Sequence, residues 1–324
     1  MQDLSDKKLK LFPIFLMIVV VFGVGIFAFR KLFTKEFVVK EDLSEKRYYT
    51  SLLWDENLGS EWEPGEIMKV ATEEQPEISA ESGLVVDINS GNIVFEKNSK
   101  AKMNIASLVK IMTAVVALEH KRLDEKIIVS ERAAGIGENT MGITEGEVYT
   151  LEELLYGLML NSGNDSAYAI AEGVAGNVND FVNWMNIKAG ELNLSDTEFF
   201  DPSGLDDSTN STAADLVKLS RYAMQNEDFK KIVGTVDMEL PYSEMHKYLY
   251  LENQTNLLTT YPGVGGIKTG YTEEAGYCLV TYAKNEDVEL IGVVLNAVNR
   301  KFDMLNMLDY AFGTYGIEVE SGYE

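Results

Sequence analysis

Extended runs stand at both ends of the patterned part of this chain, and helical runs fill the interval between them. At one end, "SGLVVDINSGNIVFEKN" (82–98) gives two apolar runs around "NSGN", the signature of a β-hairpin. At the other end, "YCLVTYAKN" (277–285) and "VELIGVVLNAVN" (288–299) are β-rich. Between them, "IASLVKIMTAVVALEHKRL" (105–123) reads as a helix and "KIIVSERA" (126–133) as extended. The stretch 150–176 reads as two helices broken at 161–164, and 178–194 is an amphipathic helix. A further helix follows over 211–225, with Ser211 or Thr212 as its N-cap, and "KFDMLNMLDYAFGTYG" (301–316) closes the pattern. This order predicts an α+β fold: an antiparallel sheet assembled from both ends, flanked by helices, with a helical subdomain inserted.

Ahead of that domain, residues 11–29, "LFPIFLMIVVVFGVGIFAF", carry no charge over 19 positions. A helix of about 20 such residues crosses a bilayer. Lys7, Lys8 and Lys10 precede the run, and Arg30, Lys31 and Lys35 follow it. A cleaved signal peptide has a shorter apolar core and a small-residue cleavage pattern, which is missing here. The run therefore reads as an uncleaved single-pass anchor; if it were cleaved, the domain would be secreted. Residues 36–77 are acidic without clean periodicity and read as a linker or stalk. Expected boundaries are 1–35 for the membrane or signal segment, 36–77 for the linker and 78–324 for the folded domain.

Composition excludes several classes. Net charge is −24, and a surface that acidic repels phosphate backbones, so no nucleic-acid partner is expected. The one cysteine, Cys278, lies in an apolar run and reads as a buried small hydrophobe; it rules out an intrachain disulfide. The two histidines, His120 and His246, have no metal-ligand spacing, so a histidine-based zinc site is not expected. Both read as structural or surface residues.

Three short motifs carry chemistry. In "NIASLVKIMTA" (104–114), Ser107 and Lys110 are three apart, which places them on one helix face. A serine hydroxyl needs a base, and a lysine serves once desolvation lowers its pKa; Ile105, Leu108, Val109 and Ile111 supply an apolar setting. Next, Ser162 and Asn164 sit in the break between two helices, where a hydroxyl and an amide can project into a cleft. Last, Lys268-Thr269-Gly270 reads as opening a strand. The cation and hydroxyl suit a substrate carboxylate, and glycine lets another backbone approach a sheet edge. Each motif alone is commonplace.

In this order, S-x-x-K, S-x-N and K-T-G are the signature of penicillin-binding proteins and serine β-lactamases. The chain resembles the D-alanyl-D-alanine carboxypeptidases of the low-molecular-mass penicillin-binding family, through "ASLVKIMTA", "LLYGLMLNSGNDSAYAIAE", "FFDPSGLDDSTNSTAADLVKLSRYA" and "YPGVGGIKTGYTEEAGYCLV". The resemblance implies a β-lactamase/transpeptidase-like fold and a hydrolase acting on peptidoglycan outside the cytoplasm. It implies Ser107 as nucleophile, Lys110 as its base, and Ser162 as a proton relay. Asn164 would hold the substrate amide and Lys110. The N–H groups of Ser107 and Tyr271 would form the oxyanion hole; Lys268 and Thr269 would bind the terminal carboxylate, with Gly270 beside them. Arg300 or Lys301 would add a contact to that carboxylate. The implied partners are a stem peptide ending in D-Ala-D-Ala and β-lactams as covalent inhibitors, with no metal or organic cofactor. Class A β-lactamases usually carry S-D-N and E-x-x-L-N, which this chain lacks. A β-lactamase, a D,D-endopeptidase and a non-catalytic penicillin-binding sensor are the alternatives on the same fold.

Overall fold

The hairpin expected over 82–98 forms, with β1 (Ser82–Asp87) paired antiparallel to β2 (Ile93–Lys97). The structure is a computed structural model that describes residues 62–68 and 75–320. The apolar run 11–29 lies outside the described residues, as does most of 36–77. Among the described residues no helix is long and apolar enough to cross a membrane.

After β3 (Met103–Asn104), a 3-10 turn over Ala106–Val109 leads into α1 (Lys110–His120). Only the first part of the run expected to be extended is so, as β4 (Lys126–Ile128). Ser130 then accepts a hydrogen bond from Ala133 N and starts α2 (Glu131–Ala134), because a serine N-cap overrides the extended pattern. β5 (Val148–Thr150) runs directly into α3 (Leu151–Met159). Thr150 and Glu153 exchange hydrogen bonds there in a capping box, a device that typically stabilises a helix start by about 1 kcal/mol. α4 (Asn164–Ala175) and α5 (Val178–Glu191) follow where the sequence places helices. β6 (Asn210–Ser211) precedes α6 (Ala213–Ala223), whose N-cap is Thr212.

α7 (Glu227–Val233) and a ribbon of β7 (Asp237–Leu240) with β8 (Leu249–Glu252) were not legible as elements. The chain then forms β9 (Val264–Thr272), β10 (Gly276–Asn285) and β11 (Val288–Ala297), and closes with α8 (Arg300–Thr314).

The main sheet has the order β2-β1-β11-β10-β9, every neighbouring pair antiparallel. The link between the two ends is the β1–β11 pairing, from Ser82 opposite Leu295 to Asp87 opposite Leu290. β9 is an edge strand. Lys268 to Gly270 lie within β9 rather than opening it: the strand already starts at Val264, and Gly265-Gly266 does not make a turn. Gly266 instead takes φ +114° against the Val233 backbone, where a Cβ would lie 2.8 Å from the Val233 oxygen.

Both sheet faces are covered, which is why β1 reads as a continuous apolar run rather than an alternating one. Leu84 and Val86 join the core shared with α1, α3, α4 and α6, whereas Val85 joins Phe95, Leu279, Val294 and Met304 beneath α8. Cys278 is fully buried in the first of these cores, as expected. His120 stacks on Trp184 with centroids 4.4 Å apart; buried His246 stacks on Tyr149 at 4.6 Å and faces Glu153.

Residues 62–68 lie along the outer edge of β2. Gly65 N donates to Gly91 O (2.7 Å), Met68 N to Ile93 O (2.8 Å), and Ile67 bridges Ile93 in parallel. Trp62 sits under the Arg221 guanidinium at 4.6 Å, and Lys218 pairs with Glu63 at 2.6 Å. This strap covers an edge whose backbone groups would otherwise be open to strand pairing.

Candidate active site

The turn that carries Ser107 is held between two glycines. Ala106 has φ +47°, a left-handed conformation that costs a β-carbon residue on the order of 1 kcal/mol and needs its surroundings to enforce it. A Cβ on Gly204 would lie 2.1 Å from the Ala106 oxygen and 3.1 Å from Ser107 N. A Cβ on Gly270 of β9 would lie 3.0 Å from the Ile105 oxygen and 3.3 Å from Ser107 N. Glycines thus let the 201–205 loop and the edge strand close on the turn from two sides. Ser107 stands in the 3-10 turn and Lys110 is the first residue of α1, so the pair spans the junction rather than one α-helix. The tighter winding aligns i with i+3 more closely than an α-helix does.

Lys110 is fully buried. Its Nζ donates to Ser107 Oγ (2.9 Å), Asn164 Oδ1 (2.8 Å) and the Ser203 carbonyl oxygen (2.6 Å). Burial lowers its pKa from 10.5 to about 7, while the negative charges of Asp201, Asp165 and Glu138 pull the other way. The three partners suit both protonation states. The ammonium donates to all three; the neutral amine keeps Asn164 and Ser203 as acceptors and turns its lone pair to the Ser107 hydroxyl. A base with a pKa near 7 can take a proton and return it at neutral pH.

Asn164, the first residue of α4, is fixed at both ends of its amide. Its Oδ1 accepts from Lys110, its Nδ2 donates to the Gly137 oxygen (3.1 Å), and its backbone N donates to the Asn139 oxygen (2.8 Å). The next residue, Asp165, accepts from Met141 N (2.8 Å), Gly142 N (2.8 Å) and Ile143 N (3.1 Å), and so pins the 137–143 loop beside the site. Ser162 has φ +58° and a buried Oγ that finds no hydrogen-bond partner among the described residues. The helix break expected at 161–164 is therefore a strained segment that places a hydroxyl rather than a simple turn.

On β9, Lys268 is buried and its Nζ donates to the Thr269 oxygen (3.2 Å). Burial holds its pKa well below the ordinary lysine value, and the positive charges of Lys110 and Arg300 push it further down. Thr269 is buried; Tyr271 is exposed and its ring lies against Tyr277 at 4.6 Å. Arg300, at the start of α8, donates from Nη1 to the Gly270 oxygen (2.7 Å), with its guanidinium over Tyr277 at 5.4 Å. Of the two basic residues considered for this edge, Arg300 is bonded to β9 through the Gly270 oxygen.

Hydrogen bonds thus join Ser107, Lys110 and Asn164; Gly270 packs on the Ser107 turn; Lys268 lies within the electrostatic reach of Lys110. Sequence reading missed the contributors from the 201–205 loop. Ser203 offers a carbonyl, Gly204 a close approach, and Asp201 a carboxylate that accepts from Gly204 N (2.8 Å), Leu205 N (3.1 Å) and Ser203 Oγ. The signal was the pair of turn dipeptides in "DPSGL", which mark a loop but not its neighbour.

Known proteins resemble this chain in sequence and fold. Residues 69–299 match the family described as D-alanyl-D-alanine carboxypeptidase, Peptidase_S11. The chain is 36% identical over 245 residues to D-alanyl-D-alanine carboxypeptidase DacF of Bacillus subtilis, covering 73% of this chain and 63% of that protein. It is 32% identical over 234 residues to the D-alanyl-D-alanine endopeptidase of Escherichia coli, covering 68% of this chain and 73% of that one. The crystal structure of the Streptomyces K15 DD-transpeptidase superposes with a TM-score of 0.71 at 30% identity, covering 74% of this chain and all of that one.

Proposed function

This chain belongs to the D-alanyl-D-alanine carboxypeptidase family, Peptidase_S11, and on that premise we propose that it removes the terminal D-alanine from peptidoglycan stem peptides through an acyl-serine intermediate. The observation that carries the reading is the buried Lys110, its pKa about 7, hydrogen-bonded at once to Ser107 Oγ and Asn164 Oδ1.

Neutral Lys110 takes the Ser107 proton as Oγ attacks the carbonyl carbon between the two D-alanines. The N–H groups of Ser107 and Tyr271 stabilise the resulting oxyanion. The C–N bond then breaks. Lys110 returns its proton through Ser162 to the amine of the departing D-alanine. Water next attacks the ester carbonyl, giving up its proton to Lys110; the carboxylic product leaves and Ser107 regains its hydrogen. Lys268 and Thr269 hold the terminal carboxylate, with Arg300 bracing the strand beside them. An arriving carboxylate raises the proton affinity of Lys268 and so favours its cationic form. Gly270 keeps the edge of β9 narrow enough for the peptide to lie along it, and Asn164 orients the peptide amide. β-Lactams acylate the same serine.

A second reading, D,D-endopeptidase, has support in the name of the Escherichia coli relative. The uncharged residues 11–29 between basic flanks support a single-pass anchor that holds the domain at the outer membrane face, where peptidoglycan lies.

The test is D-alanine release from a D-Ala-D-Ala-terminated peptide, run beside cleavage of a cross-linked dimer. Release from the linear peptide, lost by on the order of 10⁴-fold or more in Ser107→Ala, is expected. Cleavage of the dimer alone would replace the carboxypeptidase with the endopeptidase. Penicillin labelling without either activity would leave a sensor. Undiminished labelling of Ser107→Ala would remove Ser107 as the nucleophile.

A further inference from the structure

Asp201 lies outside the three motifs, yet its loop touches the reacting pair. The segment 201–205 straddles the start of α1. Its Pro202 carbonyl accepts from Thr113 Oγ1 (2.6 Å), its Ser203 carbonyl accepts from Lys110 Nζ (2.6 Å), and Gly204 lies against the Ala106 oxygen and Ser107 N. The Asp201 carboxylate gathers this loop from within, through Gly204 N, Leu205 N and Ser203 Oγ. Asp201 is 5% exposed and Ser203 is fully buried, so little water screens the charge.

A carboxylate that only shaped a loop could be replaced by any side chain with the same acceptors. A buried negative charge beside a buried amine does more, because it favours the protonated form of that amine. We propose that Asp201 is a positioning residue that both seats Lys110 through the Ser203 carbonyl and keeps its proton affinity high enough for it to act as the base at neutral pH. The proposal rests on Lys110 serving as the base of Ser107, as in the function proposed above.

Charged groups face Lys110 from several elements: Asp201 from this loop, Asp165 from α4, Glu138 from the 137–143 loop and Lys268 from β9. Of the carboxylates, Asp201 has the largest upward effect on Lys110. Removing it lets burial prevail further.

The test is the pH dependence of acylation by a fluorescent penicillin, which needs Ser107 activated but not D-alanine release. A failed carboxypeptidase assay therefore leaves this test intact. In the wild-type chain the rate rises with pH through a limb centred near the Lys110 value of about 7. In Asp201→Asn the limb is expected to move to lower pH by about half a unit to one unit, as loss of a nearby opposite charge does. Ser203→Ala removes a loop hydrogen bond and keeps the charge; its rate falls but its limb stays. Asp201→Glu, which restores the charge, returns the limb towards the wild-type position. If thermal melting shows that Asp201→Asn does not fold, Asp201→Ser takes its place, since its hydroxyl still accepts from Gly204 N. A neutral variant whose limb coincides with wild type, or a Ser203→Ala limb displaced as far, overturns the proposal.

Discussion

Lys110 and Lys268 are both buried lysines of one site, and their neighbours are opposite in sign. Burial lowers both. Around Lys110 stand the carboxylates of Asp201, Asp165 and Glu138, and three oxygens accept from its amine. Around Lys268 stand the basic groups of Lys110 and Arg300, and its amine donates to the Thr269 carbonyl. Burial acts on both lysines alike; what differs between them is the sign of the surrounding charges. The first lysine is tuned to exchange a proton near neutrality. The second is held below the ordinary lysine value by burial and by its cationic neighbours.

The largest expected break in this comparison is Lys110→Met. Loss of a positioned base costs about 10²–10⁴-fold, and it should lower penicillin acylation and D-alanine release together. Lys268→Met should cost about 10²-fold, as removal of one electrostatic contact does, and should fall more heavily on substrates with a free terminal carboxylate. Its acid limb should stay near pH 7 if that limb belongs to Lys110, whose carboxylate neighbours the substitution leaves in place. A limb that moves in Lys268→Met would mean that the two lysines titrate as a pair.

Stability sharpens the same point. The folded pKa of Lys110, about 7, lies below its ordinary value of 10.5. Between those values the unfolded chain holds a proton that the folded chain lacks, so stability rises with pH across this window. Below about pH 7 both states are protonated and the penalty is constant. Melting temperature should therefore climb from pH 7 to pH 9 in the wild-type chain. The climb should be shallower in Lys110→Met; equal slopes would show that Lys110 keeps an ordinary pKa. The smallest effect is expected far from the site. Trp62→Ala should destabilise by about 1 kcal/mol through the lost cation–π contact and burial, with the acylation rate unchanged.

The legible parts of the molecule were those that repeat a local pattern. The hairpin, the helix break before Asn164 and the paired end strands each carry a periodicity or a turn signal. Ser107, Lys110, Ser162, Asn164 and Lys268 were legible because side-chain chemistry at fixed spacing is written in residue names. Ser203 was not, since what it gives to Lys110 is a backbone oxygen that any residue possesses. Gly204 and Gly270 serve by what they lack, and their partners, Ala106 and Ser107, lie far away in sequence. The β7–β8 ribbon was missed because its strands are short and one face is charged, with Asp237 opposite Glu252 and Glu239 opposite Tyr250. The same holds for the second half of 126–133, where one cap, Ser130, decided helix over strand.

The strap at residues 62–68 has a mechanical consequence. It is sewn to β2, and β9 forms the opposite margin of the five-stranded sheet. With strands spaced about 4.8 Å apart, the two margins are separated by roughly 20 Å. A pull on the chain ahead of Trp62 is taken up first by the strap's own hydrogen bonds and by the grip of Trp62 and Glu63 on α6. That grip lies at the margin of the sheet opposite β9, the strand whose Gly270 packs on the Ser107 turn.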